Sequence, residues 1–287
     1  MSISLLVVLS IALLAGILLI RFNSVSNPAT DYKKMLSVTK FDNEEIITKE
    51  VLKNRMEKVR LWDYWSDFEQ FIKQETIIKT EPTDDNMSPF CSRLGGHPCI
   101  NANILPNENL IFIAQINCEE VHNVQSMSEL PKNGMLYFFA DAQKIESGNN
   151  FVVVIYSLDY QSFTIDTNVA TLPDVSLCRL DFSASVSLPP CEDPRITNII
   201  KDYQSAGYFK AVNTYNCHKI EGYPDTISQN VLLDEQILLL QLDTDEQINL
   251  LWGEMGRLFV TIDRQKLKNA DFSTIFSCIQ SYCESSE

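Results

Sequence analysis

The sequence predicts an α+β fold. It has antiparallel-rich sheets built from an internal duplication, and an N-terminal transmembrane helix ahead of them. The first observation is a repeat. Arg93-Leu94-Gly95-Gly96-His97-Pro98 recurs as Lys219-Ile220-Glu221-Gly222-Tyr223-Pro224. Each copy leads to an apolar run holding one glutamine, Gln115 or Gln241, and both Pro98 to Pro224 and Gln115 to Gln241 span 126 positions. A third element follows in each copy, Gly134-Met135-Leu136-Tyr137-Phe138-Phe139 and Gly256-Arg257-Leu258-Phe259-Val260. Two copies of one unit imply two pseudo-symmetric halves closing one core. The second observation is aromatic and β-branched runs between Gly, Pro and Asn breaks, which is strand chemistry. The third is an uncharged run over residues 3 to 20.

That run would rise about 27 Å as a helix, close to the ~30 Å hydrocarbon core. No Lys or Arg precedes it and no small-residue cleavage motif follows it, so it reads as an uncleaved anchor over residues 1–21. Arg21, Lys33 and Lys34 follow the span, and the positive-inside bias then places the globular part in the cytoplasm. Residues 22–42 read as a polar linker.

Residues 43 to 80 read as an amphipathic helix docked on the domain. Ile47, Val51, Leu52, Met56, Val59, Trp62, Trp65, Phe68, Phe71 and Ile72 recur at three- and four-residue steps. The duplicated domain occupies 81–287, with half 1 at about 90–157 and half 2 at about 215–285. Strands are expected at 110–116, 135–140 and 151–157, then at 208–216, 237–242 and 257–262. Asp193-Pro194 starts a helix that Gly207 ends. A last helix is expected over 271–282, burying Phe272, Ile275, Phe276 and Ile279.

Charge narrows the partners. The chain carries a net −15. Residues 22–80 cancel, so residues 81–287, with 28 acidic and 12 basic side chains, hold −16. Such a surface repels phosphate backbones and argues against nucleic acid. Eight cysteines without a CxxC support neither a zinc ribbon nor a thioredoxin-like site. No metal and no cofactor is expected. Asp243 through Glu254 places oxygen-bearing residues at EF-hand positions, but Ile248 stands where the turn glycine is needed.

The string Ser92-Arg93-Leu94-Gly95-Gly96-His97-Pro98 resembles the YwqG-like family, a bacterial domain family of unknown function. So do Phe112 to Asn117, Leu130 to Phe139, Leu239 to Asp243 and Trp252 to Val260. The resemblance spans about residues 45–285. It implies the duplicated α+β fold and no particular activity.

Candidate ligand-binding residues are Arg93, His97, Gln115, Lys219 and Gln241. Arg93 and Lys219 would face each other across the pseudo-axis. The glutamines are amides inside apolar strands, which must be hydrogen-bonded. Gly96, Pro98, Gly134, Gly222, Pro224, Trp252 and Gly256 read as structural. Glu221 stands where the first copy has Gly95, so the two turns are expected to differ in shape. No GxSxG, P-loop or GxGxxG occurs, which favours a non-catalytic module that binds a protein or small ligand. The alternatives are a hydrolase using His97 or the Cys217–His218 neighbourhood at the junction of the halves, and a structural envelope component.

Overall fold

A computed structural model describes residues 28–41, 46–84, 86–213, 218–228, 231–232, 235–253 and 255–281. In chain order the elements begin with helices α1 (Pro28–Val38), α2 (Lys49–Lys58) and α3 (Trp65–Glu69). Strands β1 (Lys73–Pro82), β2 (Arg93–Leu94), β3 (Cys99–Ile100) and β4 (Leu110–Asn117) follow. Then come α4 (Cys118–Val124), β5 (Met135–Asp141), β6 (Val152–Ser157), β7 (Thr164–Ile165), β8 (Ala170–Thr171) and β9 (Cys178–Ser187). The chain ends with α5 (Pro194–Thr197), α6 (Ser205–Val212), β10 (His218–Glu221), β11 (Gln236–Asp243), β12 (Arg257–Asp263), α7 (Arg264–Lys268) and β13 (Phe276–Gln280).

One sheet of 11 strands organises the molecule, in the order β13-β12-β11-β10-β1-β9-β2-β4-β5-β6, with β8 beside β4. All its pairings but β4–β8 are antiparallel. Its ends nearly meet, making an almost closed barrel. Asn149 bridges to Cys278, Asn150 N–H donates to the Ser277 carbonyl at 2.6 Å, and Ile279 N–H donates to that of Gly148 at 2.9 Å. Near-closure satisfies the edge groups that an open sheet would leave bare.

Side chains alternate across each strand, so one set points inward. Leu94, Ala114, Ile116, Leu136, Phe138, Ala140, Val154, Leu180, Ile220, Leu240, Leu242, Leu258 and Val260 belong to that interior core. The opposite set meets smaller covers. Phe112, Tyr137 and Phe139 lie under the β3–β7 ribbon side, and Leu238 and Phe259 under Val231. A helical layer of α1, α2, α3, α5 and α6 packs its own core over Val186 and Leu188 at the end of β9.

Several expectations are corrected here. The helix expected over 43–80 is two helices, α2 and α3, and then the central strand β1. Ten residues of β1 pair with β9, and four pair with β10, an interaction no local spacing encodes. The helix expected over 271–282 is β13 in its middle, because pairing with β12 outweighs the three- and four-step spacing. The strand expected at 208–216 is largely helix α6. Gly207 lies inside that helix, where Tyr32 packs so closely that a Cβ would stand 1.9 Å from its hydroxyl. No helix among the described residues is long and apolar enough to cross a membrane, and residues 3–20, the expected anchor, lie outside them.

Candidate functional site

The two similar sequence segments make matching hydrogen bonds. Arg93 pairs with Gln115 across β2–β4, and Lys219 pairs with Gln241 across β10–β11. Both central strands shift register at the same place, between Phe112 and Ala114 and between Leu238 and Leu240. Gln115 Oε1 accepts from Cys99 N–H at 2.9 Å, and Gln241 Oε1 accepts from Asp225 N–H at 2.9 Å. Asn117 N–H donates to Ser92 Oγ, and Asp243 N–H donates to His218 Nδ1, both at 2.9 Å. Every one of these pairs is separated by the same 126 positions.

The corner before each proline has one backbone shape. Gly95 and Gly96 have φ of 68° and 60°; Glu221 and Gly222 have 63° and 70°. The expected difference between the turns is therefore corrected. At Gly95 a Cβ would stand 2.7 Å from the Ser176 carbonyl oxygen, so glycine is required. The left-handed strain at Glu221 is met by its carboxylate, which accepts from Glu129 N–H and Ser128 Oγ.

What fills the corners differs. In the first half Gln115 Nε2 donates to the carbonyls of Pro89 and Cys91, at 2.9 and 2.8 Å. Arg93 donates to the carbonyls of Ser88 and His97 at 2.9 and 3.3 Å. His97 Nδ1 and Arg93 Nε are buried without a partner. Main chain plugs this corner. In the second half Lys219 Nζ lies 2.8 Å from Asp225 Oδ2 and 3.3 Å from Glu75 Oε2. Gln241 Nε2 donates to the same Asp225 oxygen at 2.9 Å. Ser185 Oγ donates to Glu75 Oε1 at 3.1 Å. Arg257 donates to the Asp225 carbonyl at 2.6 Å and faces Asp243 at 2.9 Å. Burial raises the Asp243 pKa, with Arg257 opposing it.

Over this floor opens a cavity of about 290 Å3. Its floor is Glu75, Lys219, Asp225 and Arg257, and its apolar walls include Leu188 and Phe209. Tyr223 and Pro224 line it and also a second cavity of about 670 Å3. Carboxylates that already hold Lys219 and Arg257 leave a polar, charge-paired floor beside apolar walls, the chemistry of a small-ligand site.

The expected site residues therefore separate. Lys219 and Gln241 stand together at this floor, and Arg93, His97 and Gln115 stand together at the plugged corner. In the sheet β1 and β9 lie between β10 and β2, about 14 Å at ~4.8 Å per strand. Arg93 and Lys219 do not share a rim. Glu75, Asp225 and Arg257 were not read from the sequence. Asp225 follows the repeat directly, but Glu75 lies in the segment read as helix.

The residues read as structural fall at close contacts. Pro98 accepts from Asp166 N–H, and Gly134, at φ 95°, lies against the Tyr156 ring. Trp252 is buried, and at Gly256 a Cβ would stand 1.9 Å from the Trp252 carbonyl oxygen. In the acidic loop Asp243 and Asp245 are held in protein contacts. Asp245 accepts from Thr80 Oγ1 at 3.0 Å and faces His218 Nε2 at 3.5 Å. No group of three metal-ligating side chains occurs among the described residues. Cys217 lies outside them.

Residues 92–280 match the family model described as Domain of unknown function (DUF1963). This covers more than half of the chain, which therefore belongs to that family. No curated protein matches it.

Proposed function

We propose that this protein is a non-catalytic binding module whose ligand occupies the cavity beside Gly222, Tyr223 and Pro224. The observation that carries this reading is the contrast between equivalent corners. Arg93 is spent on main-chain carbonyls, whereas Lys219 and its carboxylates floor an open cavity. A frame kept in both halves but opened in one favours a site in that one.

The chemistry of the lining supports binding over turnover. Ser187 Oγ accepts from Tyr223 N–H, and the Glu75 carboxylate in the same lining is engaged by Lys219 and Ser185. The Cys191 thiol is pushed up to about 12, by burial first and then by Glu192, so it stays protonated and a poor nucleophile. This lining favours the binding reading over the hydrolase reading. His97 and His218 lie outside this lining.

The wider reading is a duplicated, YwqG-like domain tethered to a membrane through residues 3–20. The domain would sit on the cytoplasmic side, with a protein partner or small ligand and no nucleic acid. The uncharged N-terminal run, the following basic residues and the acidic surface support it. The matched hydrogen bonds support the duplication.

Native mass spectrometry of the full chain released from detergent tests the binding claim. The wild-type protein should carry a small-molecule adduct that Thr226→Trp, which fills the cavity, loses while keeping its melting temperature. An adduct retained by a folded Thr226→Trp would place the ligand elsewhere.

A further inference from the structure

The cavity on the other side of Tyr223 has a different character. Its lining of about 670 Å3 brings together Lys73, Arg195 and Arg264, with Asp193 and Glu235 as the acids. Three converging cations are unexpected in a chain of net −15. They are not equally engaged. Arg195 clasps Asp193 through Nε and Nη2, at 2.8 and 2.6 Å, and donates from Nη1 to the Tyr223 hydroxyl at 3.3 Å. Arg264 pairs with Glu129, and both side chains are about one-third exposed. Such an exposed pair contributes little and exchanges readily. Lys73 stands 4.3 Å over the Tyr223 ring and makes no ion pair among the described residues.

We propose that this cleft binds a phosphate group between Lys73 and Arg264, with the Arg195–Tyr223 wall fixing its position. The ammonium and the releasable guanidinium supply two positive charges. A phosphate monoester carries about −1.5 to −2 at neutral pH, which matches two cations better than a monoanion does. Arg195 remains neutralised by Asp193 and serves as a rigid surface. Burial first, then Arg195 and Arg264, lowers the Lys73 pKa, consistent with a positive potential at that ammonium. Glu235 is exposed on the rim, where solvent screens it. The proposal is independent of what occupies the cavity over Lys219.

The phosphate could be free or part of a lipid headgroup, and one experiment separates them. The full chain is placed in zwitterionic nanodiscs and titrated with inorganic phosphate at constant ionic strength, reading the 31P linewidth. Saturable broadening is expected. Lys73→Met and, separately, Arg264→Gln should each weaken it about tenfold, the effect of one charged hydrogen bond. Arg264 is only partly buried, so its variant keeps the test valid if Lys73→Met misfolds. Acetate at equal concentration should not displace the phosphate. Loss of the broadening when phosphatidic acid is included in the nanodisc assigns the lipid as source; its persistence assigns free phosphate. Unchanged broadening in a folded Arg264→Gln, or displacement by acetate, overturns the proposal.

Discussion

Lys219 and Glu75 face each other at 3.3 Å, each only 1% exposed, on strands β10 and β1. An ion pair this deep is held together by its remaining partners, Asp225 on the lysine and Ser185 on the glutamate. It joins the second half to the central strand.

Breaking the pair from one side should be costly. Lys219→Met leaves Glu75 buried without its cation, and we expect a loss of about 3–5 kcal/mol. The double variant Lys219→Met with Glu75→Gln should recover a large part of that loss. Urea unfolding of both variants measures it. Equal losses in single and double variants would mean that the pair does not act as a unit.

The corner glycine carries two separate constraints. Gly222 has φ of 70°, and a Cβ there would stand 2.7 Å from Glu75 Cβ. Gly222→Val should destabilise by at least 1–3 kcal/mol, because a β-branched residue adds strain to the clash. Gly148 has a similar φ of 64° with nothing within 4 Å, so Gly148→Ala should cost less than Gly222→Ala. Equal melting shifts for the two alanine variants would remove the steric part of this explanation.

Glu221 gives the molecule a pH signature. Burial raises its carboxyl pKa above the usual value near 4.5, although Glu129 N–H and Ser128 favour the charged form. The folded state then binds this proton more tightly than the unfolded state does. Its contribution is most favourable below about 4.5 and is lost as pH rises through the folded pKa. Asp245 works in the opposite sense. Hydrogen bonding to His218 lowers its pKa, so its stabilisation is lost only as pH falls below the usual 3.8. Glu221→Gln keeps an acceptor for Glu129 N–H and removes the titration. Its urea midpoint should fall less steeply than that of the wild type between pH 4.5 and the folded pKa. Parallel curves would contradict the assignment.

The proposed tether makes a cellular prediction. The full chain should stay with membranes after high-salt and carbonate washing, and its thiols should be reduced. Cys99, Cys118 and Cys178 are buried, so maleimide should reach them only after denaturation, without reductant. A soluble form beginning near residue 22 would instead indicate a cleaved leader. Labelling that required reductant would indicate export.

What could be read from the chain follows from range. Strands β4, β5, β6, β11 and β12 were legible because their apolar runs and bounding turns are local. The repeat exposed Lys219 and Gln241 through matching neighbours. Strand β1 was not legible, since the three- and four-residue steps run up to Phe71 and Ile72 at its threshold while the forces that fix it come from β9 and β10, about 100 to 145 positions away. With β1 went Glu75, half of the buried pair. Strand β13 was lost for the same reason, as its partner β12 decides its state. Glu221 was misread because its compensation comes from Ser128 and Glu129, more than 90 positions earlier.

The central claim is that two equivalent corners diverged, one plugged and one open to a ligand. Hydrogen exchange of the full chain, before and after removal of its co-purified small molecule, tests this directly. The account predicts that ligand removal raises exchange in residues 187–192, 209–213 and 222–227, with no change in residues 96–101. A change at 96–101, or none at 222–227, would contradict it.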